Sequence, residues 1–159
     1  KWPNDVLLGR RKVCGILVES PARPQDCCVV GIGINVNNSL TGAPDDLRER
    51  AACLADAAGH PWDLTGVLVG VLRQLGPRLA DLAGGRLPLS DACRPWCALT
   101  GKRIAVAAGK RRFEGVCAGI DDQGALRIRT QESEQRLFSG VVESIRWDGS
   151  PEDASSPRA

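Results

Sequence analysis

Two apolar runs, residues 13–19 (VCGILVE) and 27–35 (CCVVGIGIN), decide the fold of the first half of this 159-residue chain. Each run is short and bounded by turn-forming residues, which is typical of a buried β-strand. The polar turn at residues 9–12 (GRRK) separates the first run from a shorter one, residues 6–8 (VLL). We therefore predict adjacent antiparallel strands. Because the runs do not alternate with polar residues, we expect the sheet to be covered on both faces.

Helical patterns follow the strands. Residues 47–58 favour one helix that ends at Gly59, and Asp63 is a plausible N-cap for the next. Leucines and valines recur at steps of three and four through residues 64–82, which predicts a helix with one face on the core. Pro77 lies inside this stretch and is expected to kink or divide the helix.

From residue 100 onward the pattern changes to short strands and tight turns, so we place a domain boundary between residues 99 and 100. Residues 148–159 are rich in Ser, Pro, Asp and Glu, and we expect a disordered tail there. Five strands in so short a stretch suggest a small SH3-like barrel over residues 100–147. The predicted strands are 103–107, 113–120, 125–130, 135–139 and 141–146.

Composition narrows the class of protein. The chain is 43% hydrophobic and 25% charged, which is typical of a globular protein, and its net charge of +2 is too small to indicate a nucleic-acid partner. No apolar run is long enough to span a membrane and no signal pattern is seen, so we expect a cytoplasmic protein with no membrane partner. The seven cysteines lack paired CxxC spacing, which argues against a zinc site.

Two clusters could carry chemistry. Residues 1–5 (KWPND) place a cation, an aromatic ring, an amide and a carboxylate directly before a strand. Residues 31–37 (GIGINVN) end a strand with two glycines, where a ligand could approach the backbone, followed by two amides able to read a base or sugar. Tight packing of strand on helix would explain the glycine pair equally well. The spacing is neither a P-loop nor a dinucleotide fingerprint.

The order KWPND, GILVE and GIGIN, with an SH3-like module behind it, resembles the biotin protein ligase family. The resemblance implies an α+β fold: part of a class II synthetase-like mixed or antiparallel sheet with helices, then a small SH3-like β-barrel. Residues 1–99 would be the C-terminal part of the catalytic domain. Lipoate ligases and lipoyl transferases share that catalytic fold but are less similar in the KWPND stretch.

The family's reaction has two steps. Biotin and ATP give biotinyl-AMP and pyrophosphate, and the biotinyl group then passes to a lysine of a carboxylase's biotin carrier domain, which would be the partner. Lys1 matches the family's lysine between the attacking carboxylate and the α-phosphate, where a fixed ammonium stabilises developing charge. The ordinary alternative for any lysine is a solvated surface charge.

The resemblance assigns further roles. Gly31 and Gly33 would let the strand lie against the ligand, and Asn35 would hydrogen-bond the adenylate. Arg146 lies where some members place a basic residue near the phosphates, although an arginine at a strand end is commonly just solvated.

Two further residues are expected to support the ligand-binding residues without contacting the ligand themselves. Asn4 and Asp5 would orient Lys1 or help to hold Mg²⁺ beside the nucleotide, and a turn-stabilising role for them is as plausible. The resemblance fixes no protein-bound metal, and it allows a homodimer.

One element of the family is not found. Its biotin- and phosphate-binding loop, of the type GRGRxGR, precedes KWPND, and no such segment occurs in these 159 residues. We therefore expect a fragment that is inactive alone and needs the N-terminal half of the catalytic domain as a partner. Two alternatives remain open: a non-catalytic module that binds a partner through its barrel, and a ligase or transferase acting on lipoate.

Overall fold

The computed structural model describes residues 1–20 and 27–147. The expected tail at residues 148–159 and residues 21–26 lie outside the described residues. Contacts within the chain divide it into two compact units. Unit 1 contains Lys1 and Pro3–Ala83, and unit 2 contains Trp2 and the chain from Gly84 onward.

Unit 1 is built on a three-stranded sheet. Its strands are β1 (Asp5–Leu8), β2 (Arg11–Glu19) and β3 (Val29–Ile34), in the order β1-β2-β3. Both pairs are antiparallel, which confirms the predicted arrangement. The hairpin between β1 and β2 turns at Gly9, whose φ of 63° is a left-handed conformation that glycine adopts without strain.

A β-bulge interrupts β2 near its start. Cys14 lies opposite Val6 on β1. The next pair is Lys12 opposite Leu7, so Val13 is an extra residue on the longer strand. A bulge of this kind breaks the regular alternation of side chains between the two faces of a sheet.

Three helices complete unit 1: α1 (Asp45–Arg50), α2 (Leu54–Ala58) and α3 (Leu64–Ala83). The single helix expected over residues 47–58 is wrong. Ala51 is extended, with φ −114° and ψ 151°, and pairs as an isolated bridge with Lys12, which separates α1 from α2. Gly59 ends α2 in a left-handed conformation, as predicted.

The long helix α3 begins as predicted. The Asp63 carboxylate accepts hydrogen bonds from the backbone N–H groups of Thr65 (3.1 Å) and Gly66 (2.9 Å), which is N-cap geometry. The expected division at Pro77 is wrong, because α3 runs on to Ala83. A proline removes one backbone hydrogen bond, and a helix of 20 residues keeps enough others to continue through it.

The predicted core face of α3 is not buried among the described residues. No residue of α3 is buried, and five of its leucines are 46–59% exposed: Leu64, Leu68, Leu72, Leu79 and Leu82. On the sheet, Leu17, Val18 and Val29 are also 57–59% exposed. The described residues therefore do not supply the cover that the strand pattern predicts.

Unit 2 is a short helix and a five-stranded antiparallel sheet in the order β7-β6-β5-β4-β8. Its core contains Leu99, Ile104, Val106, Leu126 and Ile128, and Trp2 packs against it. The predicted strands are all found, and the α+β fold class is confirmed. The elements are α4 (Leu89–Cys93), β4 (Arg103–Ala108), β5 (Arg111–Ile120), β6 (Leu126–Arg129), β7 (Glu134–Leu137) and β8 (Val141–Ile145).

Candidate functional site

The side chain of Lys1 is fixed by Asp5. Residues 1–5 form a turn in which the N–H of Asp5 donates to the carbonyl of Lys1 (3.0 Å). The Lys1 Nζ then donates to Asp5 Oδ2 at 2.8 Å. The two side chains are only 21% and 15% exposed, so this ion pair is largely shielded from water. The turn and the ion pair together hold the Lys1 ammonium group in a fixed position.

A second lysine shares the same carboxylate. Lys12 Nζ lies 2.6 Å from the other oxygen of Asp5, Oδ1. Burial of Asp5 tends to raise its pKa, but the hydrogen bonds from Lys1 and Lys12, with their charges, outweigh burial. The pKa of Asp5 consequently lies below its ordinary value of 3.8. One carboxylate held between two ammonium groups leaves this cluster with a net positive charge.

The β-bulge explains how Lys12 reaches Asp5. In a regular strand residues 12 and 15 point to opposite faces. The extra residue Val13 shifts the alternation, so that Lys12 comes to lie on the face of Gly15, which is paired with Asp5. Val13 and Cys14 are instead both buried in one apolar cluster on the other face. The bulge therefore separates an apolar face from a charged face.

A cavity of about 260 Å³ is bordered by Lys12 of the charged face and by Val13 and Cys14 of the apolar cluster. Gly15 on β2 and Gly33 on β3 lie directly opposite each other and both line it, so this part of its wall is bare backbone. We call this pair the glycine floor. The Lys12 ammonium borders the floor, 3.1 Å from where a Cβ on Gly15 would lie. The lining residues are Lys12, Val13, Cys14, Gly15, Gly33, Asn35, Leu47, Arg50 and Ala51.

Two explanations were open for Gly31 and Gly33: ligand approach or tight packing. A Cβ on Gly31 would lie 3.8 Å from the Leu17 carbonyl oxygen, and one on Gly33 would lie 4.0 Å from that of Gly15. Both are ordinary van der Waals distances, so packing among the described residues does not require glycine at either position. Gly33 lines the cavity, whereas Gly31 is not among its lining residues.

Asn35 lines the cavity at the end of β3. Its Nδ2 donates to the carbonyl of Ala52 (3.0 Å), and its Oδ1 accepts from Asn38 (3.1 Å). A side-chain amide has two N–H hydrogens and two acceptor lone pairs, so each group retains capacity for a ligand. Asn37 exchanges two bonds with the backbone of Trp62, at 2.8 and 2.9 Å, and so fastens a loop.

Two further predicted residues, Asn4 and Arg146, take part in backbone hydrogen bonds. Asn4 is exposed, and its backbone carbonyl accepts from the N–H of Ile16 (2.8 Å), so its observed contact is structural. Arg146 is an exposed residue of unit 2, where its N–H donates to the Arg103 carbonyl after β8. Like Lys1 and Asp5, neither is among the residues that line the cavity.

Sequence reasoning missed three residues of the site: Lys12, Gly15 and Arg50. Lys12 was assigned to a polar turn, because no pattern in the sequence announces the bulge. Arg50 ends α1 and reaches the cavity because the N–H of Ala52 donates to the Lys12 carbonyl (2.8 Å), which holds the end of α1 against β2. Gly15 could have been noticed as the one glycine inside an otherwise apolar strand.

Unit 2 contains a hydrogen-bonded pair of cysteines, Cys97 and Cys117. In unit 2 a hydrogen bond with Cys117 lowers the pKa of Cys97 to about 5, against the opposing effect of burial. Within residues 1–20 and 27–147 no group of three or more His, Cys, Asp or Glu side chains could hold a metal ion. The helices of the same residues include none long and apolar enough to cross a membrane.

Comparison with known sequences gives a consistent set of relatives. Residues 99–143 match the family "Biotin protein ligase C terminal domain". A "Biotin--[acetyl-CoA-carboxylase] ligase" of Paracoccus denitrificans is 36% identical over 153 residues, covering 89% of this chain and 61% of that protein. A "Bifunctional ligase/repressor BirA" of Bacillus spizizenii is 33% identical over 146 residues, covering 90% of this chain and 45% of that protein.

Comparison with solved structures agrees. The biotin protein ligase of Aquifex aeolicus in complex with biotin and ATP has a TM-score of 0.76 at 29% identity, covering 91% of this chain and 60% of that one. The resemblance predicted from the motifs is thereby confirmed over nine-tenths of this chain. The chain spans about half the length of the curated relatives it matches.

Proposed function

We propose that this relative of the biotin protein ligases carries part of a ligase active site, which joins biotin to AMP and then transfers the biotinyl group to a lysine of a carboxylase's biotin carrier domain. The observation that carries the proposal is the Lys1 ammonium, held by Asp5, whose other carboxylate oxygen binds Lys12 on the wall of the cavity. The similarity to a ligase of Paracoccus denitrificans supports it. Residues 1–99 would belong to the catalytic domain, and residues 100–147 would form the SH3-like module. A cytoplasmic location is part of the same proposal.

Lys1 has the properties that the first step requires. The biotin carboxylate and the α-phosphate are both anions, so their approach is unfavourable unless a cation lies between them. Because Asp5 already fixes the Lys1 ammonium, little reorganisation energy is needed when charge develops in the transition state. Lys1 would therefore hold the reacting oxygen and phosphorus in line and stabilise the added negative charge.

The glycine floor and Asn35 would bind the adenylate. Gly33 allows the nucleotide to lie against the strand, and Gly31 leaves room beyond it. Asn35 is immobilised by Ala52 and Asn38, so its remaining hydrogen-bonding capacity has a fixed direction, as recognition of a base requires. The family resemblance alone suggests Arg146 as a further phosphate contact.

The described residues do not fit a protein-held Mg²⁺ near Lys1. Both carboxylate oxygens of Asp5 are occupied by lysine ammonium groups, and a cation there would compete with two positive charges. If Mg²⁺ takes part, the phosphates of the nucleotide are its natural ligands. Asp5 is therefore proposed as the residue that orients Lys1.

The test is transfer of biotin to a carrier domain. We would incubate the chain with biotin, ATP, Mg²⁺ and a purified biotin carrier domain, alone and joined to the N-terminal remainder of the Paracoccus denitrificans relative. Biotinylation is measured by streptavidin binding, and parallel reactions contain lipoate and a lipoyl domain. We expect transfer of biotin, and not of lipoate, by the joined protein.

The other outcomes separate the alternatives. If the joined protein transfers lipoate in preference to biotin, lipoate is the substrate and the biotin ligase proposal is contradicted. Loss of all transfer in the joined protein, with both parts folded, would favour the non-catalytic module. Activity of the chain alone would support the ligase and contradict the expectation that it needs a partner.

A further inference from the structure

We propose that Lys12, with Arg50 beside it, binds the polyphosphate of the nucleotide and receives the pyrophosphate that leaves in the first step. Lys12 has this role only if the cavity takes a nucleotide, as proposed above. The phosphates of the nucleotide then divide between two lysines, Lys1 and Lys12, that share one carboxylate.

The first observation is the placement of Lys12 by the bulge. Its ammonium lies on the charged face, 2.6 Å from Asp5 Oδ1, and it lines the cavity. Without the extra residue Val13 in the register, a side chain at position 12 would point toward the apolar cluster. Bulges recur where a strand must re-aim one side chain, and here the re-aimed side chain is a cation.

The second observation is the difference in exposure between the two lysines. Lys1 is 21% exposed, whereas Lys12 is 48% exposed although it binds the same carboxylate. The reacting phosphorus must be shielded from water, which suits Lys1. A leaving group must reach solvent, which suits the more exposed cation. Lys1 is therefore assigned to the α-phosphate and Lys12 to the β- and γ-phosphates.

Arg50 adds a second positive charge on the same cavity. The bridge between Lys12 and Ala51 fixes the backbone beside it. Arg50 pairs with Asp46 (2.6 Å), but both side chains are more than 70% exposed, and such pairs are weak in water. A polyphosphate offers more charge than one carboxylate, so it can compete for the guanidinium group.

The experiment measures ligand binding by the full 159-residue chain in the presence of Mg²⁺. Calorimetry gives the dissociation constants of AMP, ATP and inorganic pyrophosphate for the wild type and for Lys12→Gln. Loss of one charged contact should raise the dissociation constants of ATP and pyrophosphate by about tenfold or more. That of AMP should rise by less than about threefold. Lys12→Arg should restore most of the loss, because it retains the cation.

The matched control is Arg11→Gln, which removes the same charge one residue earlier. Arg11 acts electrostatically on Asp56 of α2 and is not among the residues lining the cavity. All three dissociation constants should stay within about twofold of the wild type, because an exposed charge away from the ligand contributes little. Circular dichroism checks that each variant is folded.

Each result has a distinct meaning. Equal weakening of AMP, ATP and pyrophosphate, or no weakening at all, would overturn the role of Lys12 while leaving nucleotide binding intact. Binding of pyrophosphate with the expected loss in Lys12→Gln, but no binding of AMP or ATP, would support the anion site and contradict the ligase. Absence of binding by the wild type to all three probes would contradict both.

Discussion

Asp5 is the residue on which the candidate site depends, because two cations from different parts of the chain bind its two oxygens. Lys1 belongs to the same turn, whereas Lys12 reaches it across the hairpin. A substitution at Asp5 would release both ammonium groups at once. The site should therefore respond differently to the loss of a cation and to the loss of the carboxylate.

Loss of the Lys1 ammonium should greatly slow adenylate formation. In the joined protein, Lys1→Ala should slow formation of biotinyl-AMP by about 100-fold or more, the usual cost of a transition-state charge contact. Arg11→Ala, which removes an exposed charge on the same hairpin, should keep a rate near that of the wild type. Pyrophosphate release under single-turnover conditions provides the rate. A Lys1→Ala rate close to wild type would remove the proposed role of Lys1.

Loss of the Asp5 charge should lower stability in a pH-dependent way. The pKa of Asp5 is lowered in the folded protein, so its ionisation stabilises the fold above the unfolded pKa near 3.8, and this contribution disappears as pH falls through the folded value. Asp5→Asn should cost about 1 kcal/mol of unfolding free energy at pH 7. The difference from wild type should shrink below pH 3.8.

Urea denaturation at a series of pH values measures this effect. Asp46→Asn is the control, because it removes a carboxylate from an exposed pair with Arg50 and should change stability by less than about 0.5 kcal/mol. A difference for Asp5→Asn that is constant from pH 7 to pH 3 would show that ionisation of Asp5 is not its cause.

The sequence predicted some of these residues for good physical reasons. Lys1, Asp5, Gly33 and Asn35 stand in dense local motifs. Gly33 and Asn35 line the cavity, and Lys1 binds Asp5, which also binds the lining residue Lys12. Lys12 could not be predicted, because its direction depends on a register that only pairing with β1 defines.

At the scale of elements, local signals predicted strands and caps better than they predicted packing. The Asp63 carboxylate can cap a helix N-terminus and Gly59 can adopt a left-handed conformation, so each residue predicts a helix end by itself. Both act as expected. The end of α1 depends on a distant partner, because Ala51 is drawn into an extended bridge with Lys12. The sequence pattern of residues 47–58 does not predict that contact.

Close approach of β5 and β6 makes Gly115 intolerant of a side chain. A Cβ there would lie 2.9 Å from Ile128 Cγ2 and 2.9 Å from the Arg129 carbonyl carbon. Gly115→Ala should therefore lower the unfolding free energy by about 1–3 kcal/mol, as overpacking does. Gly70→Ala is a contrasting control in α3, where nothing lies within 4 Å, and it should stabilise by up to about 1 kcal/mol. Urea denaturation of both variants provides the test, and a Gly115→Ala protein as stable as wild type would contradict the close contact.

At the scale of the whole molecule, the described chain leaves much apolar surface uncovered. The leucines of α3 and the residues Leu17, Val18 and Val29 are about half exposed. Large exposed apolar surfaces favour association in water. Sequence patterning predicts a core face here because these residues are apolar, but it cannot show which part of a structure covers them, and the described residues do not.

The exposed face of α3 should make the isolated chain self-associate and bind the dye ANS. The double variant Leu68→Gln, Leu72→Gln should reduce both without lowering stability, because neither leucine is buried. Arg73→Gln on the same helix is the control and should change neither. Light scattering after size-exclusion chromatography measures the mass. Association that persists unchanged in the double variant would exclude this face as its cause.

The glycine floor has a consequence for inhibitor resistance. A small molecule seated on Gly15 and Gly33 would take its contacts from main-chain atoms, which no substitution can delete. Resistance at the floor could arise only by adding a side chain. At Gly15 an added methyl group would crowd the Lys12 ammonium, whereas at Gly33 it would meet only the Gly15 carbonyl oxygen at 4.0 Å. A resistance substitution should therefore destabilise the protein less at Gly33 than at Gly15.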